Sequence, residues 1–279
     1  MDYIELSLSG VLTQDQSESL SALLTHAGFE GIVEEEGIFR AYVPAHSFDP
    51  SQADEFLDLL NIQEFWAVSA VGEQNWNEVW ESQFQPVVVA GICRVRAPFH
   101  PPDPDYPLEL VIMPKMSFGT AHHETTAMMM EWLLEFPPSG KIVLDMGSGT
   151  GILAILAARL GACSVDAIDN DEWAHNNAQE NIVINDVKDV RVDLGDVSLL
   201  YTREPYDLIL ANINRNILLE DLPVYSRSLR PGGTLLLSGF YEQDLTVIEA
   251  KAREWGLRPA GTKSKNRWIS ARFSTPDKA

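Results

Sequence analysis

Residues 3–8, YIELSL, alternate apolar and polar positions like a half-buried strand. Leu20, Leu23, Leu24 and Ala27 then recur at helical spacing within 14–27, and Gly28 stands where a C-cap belongs. FEGIVEEEG and IFRAYVPA read as two strands turning at Gly37. DPSQADEFLDLL, over 49–60, opens with the Asp-Pro signal of a helix start. FWAVSAV closes as a strand. Strand, helix, strand, strand, helix, strand over residues 1–72 is the order of a small ferredoxin-like α+β domain.

Residues 73–100 form a connecting segment. NWNEVWESQF predicts a helix with Trp76, Trp80 and Phe84 at i, i+4 and i+8, a face suited to packing between domains. ICRVRAPF and YPLELVIM read as a strand pair, and the proline-rich HPPDPDYP between them as a loop. From about residue 141 strands and helices alternate. KIVLDMG, SVDAID, VRVDLGD, YDLILANI and GGTLLLSGF are strands. ILAILAARLG, DEWAHNNAQENIVIN, a stretch around 215–229 and EQDLTVIEAKAREW are helices. LRPAGTK and RWISARF follow as two strands turning near Ser264–Asn266. The alternation predicts, within residues 101–279, a Rossmann-like, mostly parallel sheet with helices on both faces and an antiparallel C-terminal edge.

Composition narrows the class. Among 279 residues, 20 are basic and 41 acidic, a net charge of −21, which disfavours direct nucleic-acid binding and suits a basic partner. Cys93 and Cys163 are isolated, so neither a disulfide framework nor a zinc–cysteine cluster is expected. No apolar stretch reaches the length of a membrane span, and MDYIELSLSG lacks the basic and apolar regions of a signal peptide. The chain reads as a soluble, cytoplasmic monomer.

VLDMGSGTGILAI carries the chemistry. Gly147, Gly149 and Gly151 follow a strand and precede a helix, where free N–H groups face the ligand crevice of a doubly wound sheet. A pyrophosphate fingerprint needs G-x-G-x-x-G, but the sixth position from Gly147 is Ile152, and there is no Walker lysine. The string is Asp-x-Gly-x-Gly-x-Gly, from Asp145 to Gly151. Asp169 ends the next strand, where a carboxylate can accept ribose hydroxyls. It also sits beside Asn170 and Asp171, either cap or ligand chemistry, with Asp171 the better cap. Asp196 ends the third strand and could meet an adenine amine, although Gly-Asp is also ordinary turn chemistry. LANINR brings Asn212 to the end of the fourth strand.

MPKMSFGTAHHETTAMMMEWL, then VLDMGSGTGILAI, AIDND, LANI and SGF, together resemble the ribosomal protein L11 methyltransferase (PrmA-type) family of class I S-adenosylmethionine methyltransferases. That family carries FGTG-x-H-x-T-T before the glycine loop, and here Ala121 stands at the fourth position. The resemblance implies that Thr126, Gly147, Asp169 and Asn212 contact S-adenosylmethionine, with Phe118 and Gly119 as pocket wall. Asp145, Gly149 and Gly151 complete the cofactor-binding loop, and Asn212 also orients an acceptor amine. It implies transfer to lysine or N-terminal amines of ribosomal protein L11, docked by the small N-terminal domain, with S-adenosylhomocysteine as product. Other protein, RNA or small-molecule acceptors, and a non-catalytic cofactor-binding module, are the alternatives. NINR in place of Asn/Asp-Pro-Pro-aromatic lowers the RNA reading.

The adjacent His122 and His123 lack the i, i+4 spacing of a helical zinc pair, so no metal is expected. Helix capping by Thr120 or Thr125 is the alternative reading of this stretch and is compatible with pocket duty, the methionines of AMMMEW read as adaptable core, and Trp268 as sheet packing.

Overall fold

The structure is a computed structural model, and it describes residues 3–9, 12–35, 38–62, 66–71, 85–115 and 118–277. Two compact units divide the chain, Met1–Gln83 and Phe84–Ala279. Gly37 and the helix expected to carry Trp76, Trp80 and Phe84 lie outside the described residues.

In the first unit, β1 (Tyr3–Ser9), β2 (Gly31–Glu35), β3 (Ile38–Pro44) and β4 (Ala67–Val71) pair in the order β2-β3-β1-β4, every pair antiparallel. Helix α1 (Gln14–His26) starts with a capping box in which Thr13 and Gln16 satisfy each other's backbone N–H. Asp49 caps α2 (Pro50–Leu59), whose first position is proline, a residue with no N–H to leave unpaired. Period-2 residues Leu6, Leu8, Phe39, Ala41 and Val43 meet Leu20, Leu24 and Leu57 from the helices in one core.

The second unit opens with β5 (Val87–Val89), β6 (Cys93–Arg96) and β7 (Leu108–Val111), a small sheet in that order. The expected pair is present as β6 and β7, running parallel, and β5 is an addition. Helix α3 (Glu124–Glu135) leads into the main sheet. Its strands are β8 (Ile142–Met146), β9 (Ser164–Asp169), β10 (Val190–Leu194), β11 (Tyr206–Asn212), β12 (Leu229–Tyr241), β13 (Arg258–Lys265) and β14 (Trp268–Ser274). Their order is β10-β9-β8-β11-β12-β14-β13, parallel from β10 to β12 and antiparallel beyond. Helices α4 (Ile152–Arg159), α5 (Glu172–Ile184), α6 (Arg215–Ser228) and α7 (Leu245–Glu254) intervene. The helix expected from Glu242 begins instead as a single 3₁₀ turn, Glu242–Asp244, before α7.

Both faces of this sheet are covered. On β11, Leu208 and Leu210 enter one core with Val143, Val165 and residues of α3 and α4, while Ile209 and Ala211 enter the other with Leu218, Leu222 and Ile248 of α6 and α7. That is why these strands read as continuous apolar runs rather than alternating ones. Strand order reverses between β8 and β11. Connections leave to opposite sides there, and a crevice opens at the carboxyl ends of the strands.

Candidate active site

The glycine loop fills that crevice from below. Gly149 has a φ of +55°, and a Cβ placed on it would lie 2.3 Å from the carbonyl oxygen of Phe118. The bare backbone lets the 118–119 segment lie directly on the loop. Thr150 N–H donates to Phe118 O at 2.9 Å, and the Thr150 hydroxyl donates to Gly119 O. Phe118 and Gly119 therefore form a wall clamped to the glycine loop. Gly147 (φ +70°) leaves room for Ile213, whose Cγ2 would be 2.2 Å from an added Cβ.

Asp145 and Asp169 frame the same loop from below and beside it. Asp145 is buried in β8, and its Oδ2 accepts the Ala154 N–H at 3.0 Å, tying the strand to the first turn of α4. Burial pushes its carboxyl up to about 7, aided by the charge of Asp169, and the Ala154 bond opposes this. Asp169 Oδ2 accepts from Gly149 N at 2.8 Å and Oδ1 from Asp171 N at 3.0 Å. Asp171 is the N-cap of α5, accepting from Trp173 N. Cap and site chemistry are thus shared between neighbouring carboxylates.

A cavity of about 840 Å³ stands over these groups. Phe118, Gly147, Gly149, Asp169 and Asn212 line it together. Gly119, Thr126, Asp145, Gly151 and Asp196 do not. Gly119 and Asp145 hold the lining residues in place, as described above. Gly151 (φ +78°) is the N-cap of α4, and the Asp196 carboxylate caps a 3₁₀ turn by accepting from Ser198 N at 2.9 Å. Asn212 donates from Nδ2 to Thr126 Oγ1 at 3.2 Å, and its Oδ1 is buried with no hydrogen-bond partner among the described residues.

The helix cap of α3 is His123, not Thr120 or Thr125. Its Nδ1 accepts the Thr125 N–H at 3.3 Å and lies 2.8 Å from the Thr125 hydroxyl. The imidazole is therefore bound through its acceptor nitrogen, and its ring packs on Phe118 (5.2 Å) and edge-on to Trp268 (4.8 Å). Trp268 stacks on Tyr241 at 4.1 Å, as sheet packing requires, and also lines the cavity, beyond the role expected of it. His122 turns elsewhere, to Thr120 and the Gln85 carbonyl. Among the described residues no cluster of three His, Cys, Asp or Glu side chains is placed to hold a metal.

Trp173 also lines the cavity with no ligand signal in the sequence, while Lys115, Ile213, Asn214 and Gly239 line it from within the strings MPKM, LANINR and SGF without being singled out there. One supporting feature did leave a trace. Asn177 and Asn181 lie inside α5, where asparagine is a poor helix former, and Asn185 follows at the same four-residue spacing as its C-cap. Asn181 accepts from Met113 N at 2.7 Å and donates to Thr150 O at 2.9 Å, and Asn185 accepts from Val111 N at 2.9 Å. They hold the extended chain before Phe118 as a neighbouring strand would.

The residues fit a cationic nucleoside. A carboxylate closes the strand that should meet a ribose, bare backbone floors the cavity, and an orphaned amide oxygen lies beside it. An unpaired buried oxygen costs about 1–3 kcal/mol, which an arriving N–H donor recovers.

The family model for ribosomal protein L11 methyltransferase (PrmA) matches residues 4–275. A ribosomal protein L11 methyltransferase of Porphyromonas gingivalis is 49% identical over 92% of this chain and 90% of its own. One from Phocaeicola vulgatus is 41% identical over 98% and 99%. The crystal structure of a ribosomal protein L11 methylase from Lactobacillus delbrueckii subsp. bulgaricus superposes with a TM-score of 0.64 and 27% identity, covering 69% of this chain and all of that one. A mostly parallel sheet with an antiparallel edge, a glycine loop at its switch point and a match along almost the whole sequence place this chain in the ribosomal protein L11 methyltransferase family.

Proposed function

We propose that this chain transfers methyl groups from S-adenosylmethionine to amines of ribosomal protein L11, lysine side chains or the N-terminus. The observation that carries the reading is the meeting of Asp169, the glycine loop and Asn212 in one cavity at the switch point. Asp169 would accept the ribose hydroxyls, and Gly147 and Gly149 let the backbone lie close beneath the amino-acid end. When bound, S-adenosylmethionine supplies a sulfonium methyl whose C–S bond breaks as the amine lone pair forms the new C–N bond.

The protein's share is positioning, since the methyl is already activated. An ammonium has no lone pair, so the site must favour a neutral amine. Desolvation does this for a lysine. Asn212 offers the amine an uncharged acceptor, whereas a carboxylate there would favour the protonated form. His123 is occupied as a helix cap through Nδ1, so it serves as wall, and the amine proton leaves to water.

The first unit, with its helices over one face of an antiparallel sheet, is in this reading a ferredoxin-like docking domain for the protein substrate. A net charge of −21 favours encounter with a basic ribosomal protein. Incubating the protein with methyl-labelled S-adenosylmethionine and total ribosomal proteins and RNA tests the reading. Label should appear on L11 amines. Label on RNA alone would refute it.

A further inference from the structure

Trp173 lines the cavity, yet it is 83% exposed. The other described tryptophans are engaged. Trp66 donates its indole N–H to Ala53 O, Trp132 donates to Ser270, Trp268 stacks on Tyr241, and the Arg227 guanidinium lies over Trp255. The Trp173 indole has no hydrogen bond and no ring contact among the described residues. Its backbone is fixed, in contrast. Asp171 caps α5 by accepting the Trp173 N–H at 2.7 Å, and Asn181 and Asn185 tie the same helix to the 111–113 segment. A rigid element thus presents a large aromatic ring whose faces are free.

The place of that ring in the crevice says which part of a ligand it meets. Asn212 ends β11, Gly147 follows β8, and Asp169 ends β9, in the sheet order β9-β8-β11. Neighbouring strands lie about 4.8 Å apart, so Asn212 and Asp169 mark points about 10 Å apart along the crevice. S-adenosylmethionine carries its sulfonium on C5′ of the ribose and its base on C1′, next to the C2′ hydroxyl. With the methyl at Asn212 and the ribose hydroxyls at Asp169, covalent order puts the adenine beyond Asp169, at the start of α5. Asn170, Asp171, Trp173 and Ala174 are the cavity wall there, and Trp173 is the aromatic one among them. The aromatic rings at the opposite end, Phe118, His123 and Trp268, are packed on one another.

We infer that Trp173 is the base-stacking residue of the cofactor site, its indole covering one face of the adenine. This rests on the proposed reading that the cavity takes S-adenosylmethionine with its ribose at Asp169. Indole and purine both present broad π faces, and stacking removes both from water. The indole has only two side-chain torsions to freeze, so ordering it costs little. S-adenosylhomocysteine keeps the same base, so the contact holds cofactor and product alike.

The test compares Trp173→Ala, which removes the ring, with Trp173→Phe, which keeps one. S-adenosylhomocysteine is titrated into each by calorimetry, which reads binding without turnover. Trp173→Ala should raise the dissociation constant by about tenfold, the scale of one base–aromatic stack. The value of kcat/KM for S-adenosylmethionine should fall by the same factor. Trp173→Phe should recover most of the affinity. Tm should hold in both, because the indole fills no core and the capping donor is a backbone N–H. Tryptophan emission gives a second readout. Saturating S-adenosylhomocysteine should quench and blue-shift the emission of wild type, and that change should shrink markedly in Trp173→Phe.

A Trp173→Ala protein with wild-type affinity for S-adenosylhomocysteine would overturn the inference alone. So would a Trp173→Phe protein as weak as Trp173→Ala, since a ring would then count for nothing. Unchanged cofactor affinity with a raised KM for ribosomal protein L11 would overturn it by giving the exposed indole to the protein substrate. A wild-type protein that binds no S-adenosylhomocysteine refutes the underlying reading and the inference with it.

Discussion

Asp169 Oδ2 accepts the backbone N–H of Gly149 at 2.8 Å, so the carboxylate expected to meet a ribose is also part of the frame of the glycine loop. Its second oxygen accepts from Asp171 N, and each oxygen keeps a lone pair free. Removing the side chain therefore takes away a ligand contact and a loop brace together. Asp169→Ala should raise the dissociation constant for S-adenosylmethionine by about tenfold to a hundredfold, the scale of one charge-assisted hydrogen bond. Asn212→Ala should mainly slow transfer, lowering kcat, with a smaller effect on that constant. Calorimetry set beside single-turnover rates separates the two, and equal losses of affinity in both variants would refute the division of roles.

The floor of the cavity depends on Gly149 being bare. A methyl there would sit 2.3 Å from Phe118 O, and the residue's φ of +55° is one that side chains disfavour. Both elements are backbone, so neither can yield by a rotamer change. Gly149→Ala should push the 118–119 segment off the loop, break the Thr150 N–H to Phe118 O bond, and abolish measurable cofactor binding while lowering Tm. A variant with wild-type affinity would show that the clamp is dispensable.

Ala121 is where this chain departs from the family's glycine, and the backbone explains what the departure costs. Its φ is +66°, the left-handed region, and it is buried at 2% exposure. Relief of that strain is worth about 1–2 kcal/mol, and the buried methyl repays about 0.8 kcal/mol. Ala121→Gly should accordingly change stability by no more than about 1 kcal/mol, with catalysis intact. Ala121→Val adds a branch to a conformation that branched residues avoid and to a filled core, and should cost about 2 kcal/mol or more. Denaturant titration of the two variants distinguishes this account from one in which the position is indifferent.

Periodicity made the architecture of the second unit legible, because its central strands are short apolar runs and α5, α6 and α7 carry polar faces, although α4 is apolar almost throughout. The switch point followed from the glycine spacing, and Asp169 from its place one strand later. What the sequence hid were roles set by tertiary neighbours. His123 caps α3, a position where Ser, Thr, Asp and Asn are the usual residues, so pattern favoured the flanking threonines. Trp268 pairs with Tyr241 across β14 and β12, and only the antiparallel return of the chain brings it to the cavity. The asparagine row of α5 and its C-cap was visible at i, i+4, i+8, but its partner, the extended 111–113 segment, has no pattern that names it.

Asp145 gives the fold a pH dependence of unusual sign. Burial raises its folded-state carboxyl to about 7, from an ordinary value near 3.8. Between those two values the folded protein holds a proton that the unfolded chain has released. Stability contributed by this residue is therefore full below about 3.8 and is lost as pH rises toward about 7, beyond which it stays constant. Most carboxylates held by cations behave in the opposite way. Asp145→Asn removes the titration while an amide oxygen can still accept the Ala154 N–H, whose bond to Asp145 is 3.0 Å long. Wild type should thus lose stability relative to Asp145→Asn between about pH 4 and about pH 7, a difference visible as diverging Tm values across that range. Parallel Tm profiles for the two proteins would show that Asp145 is ionised in the folded state throughout, despite its burial.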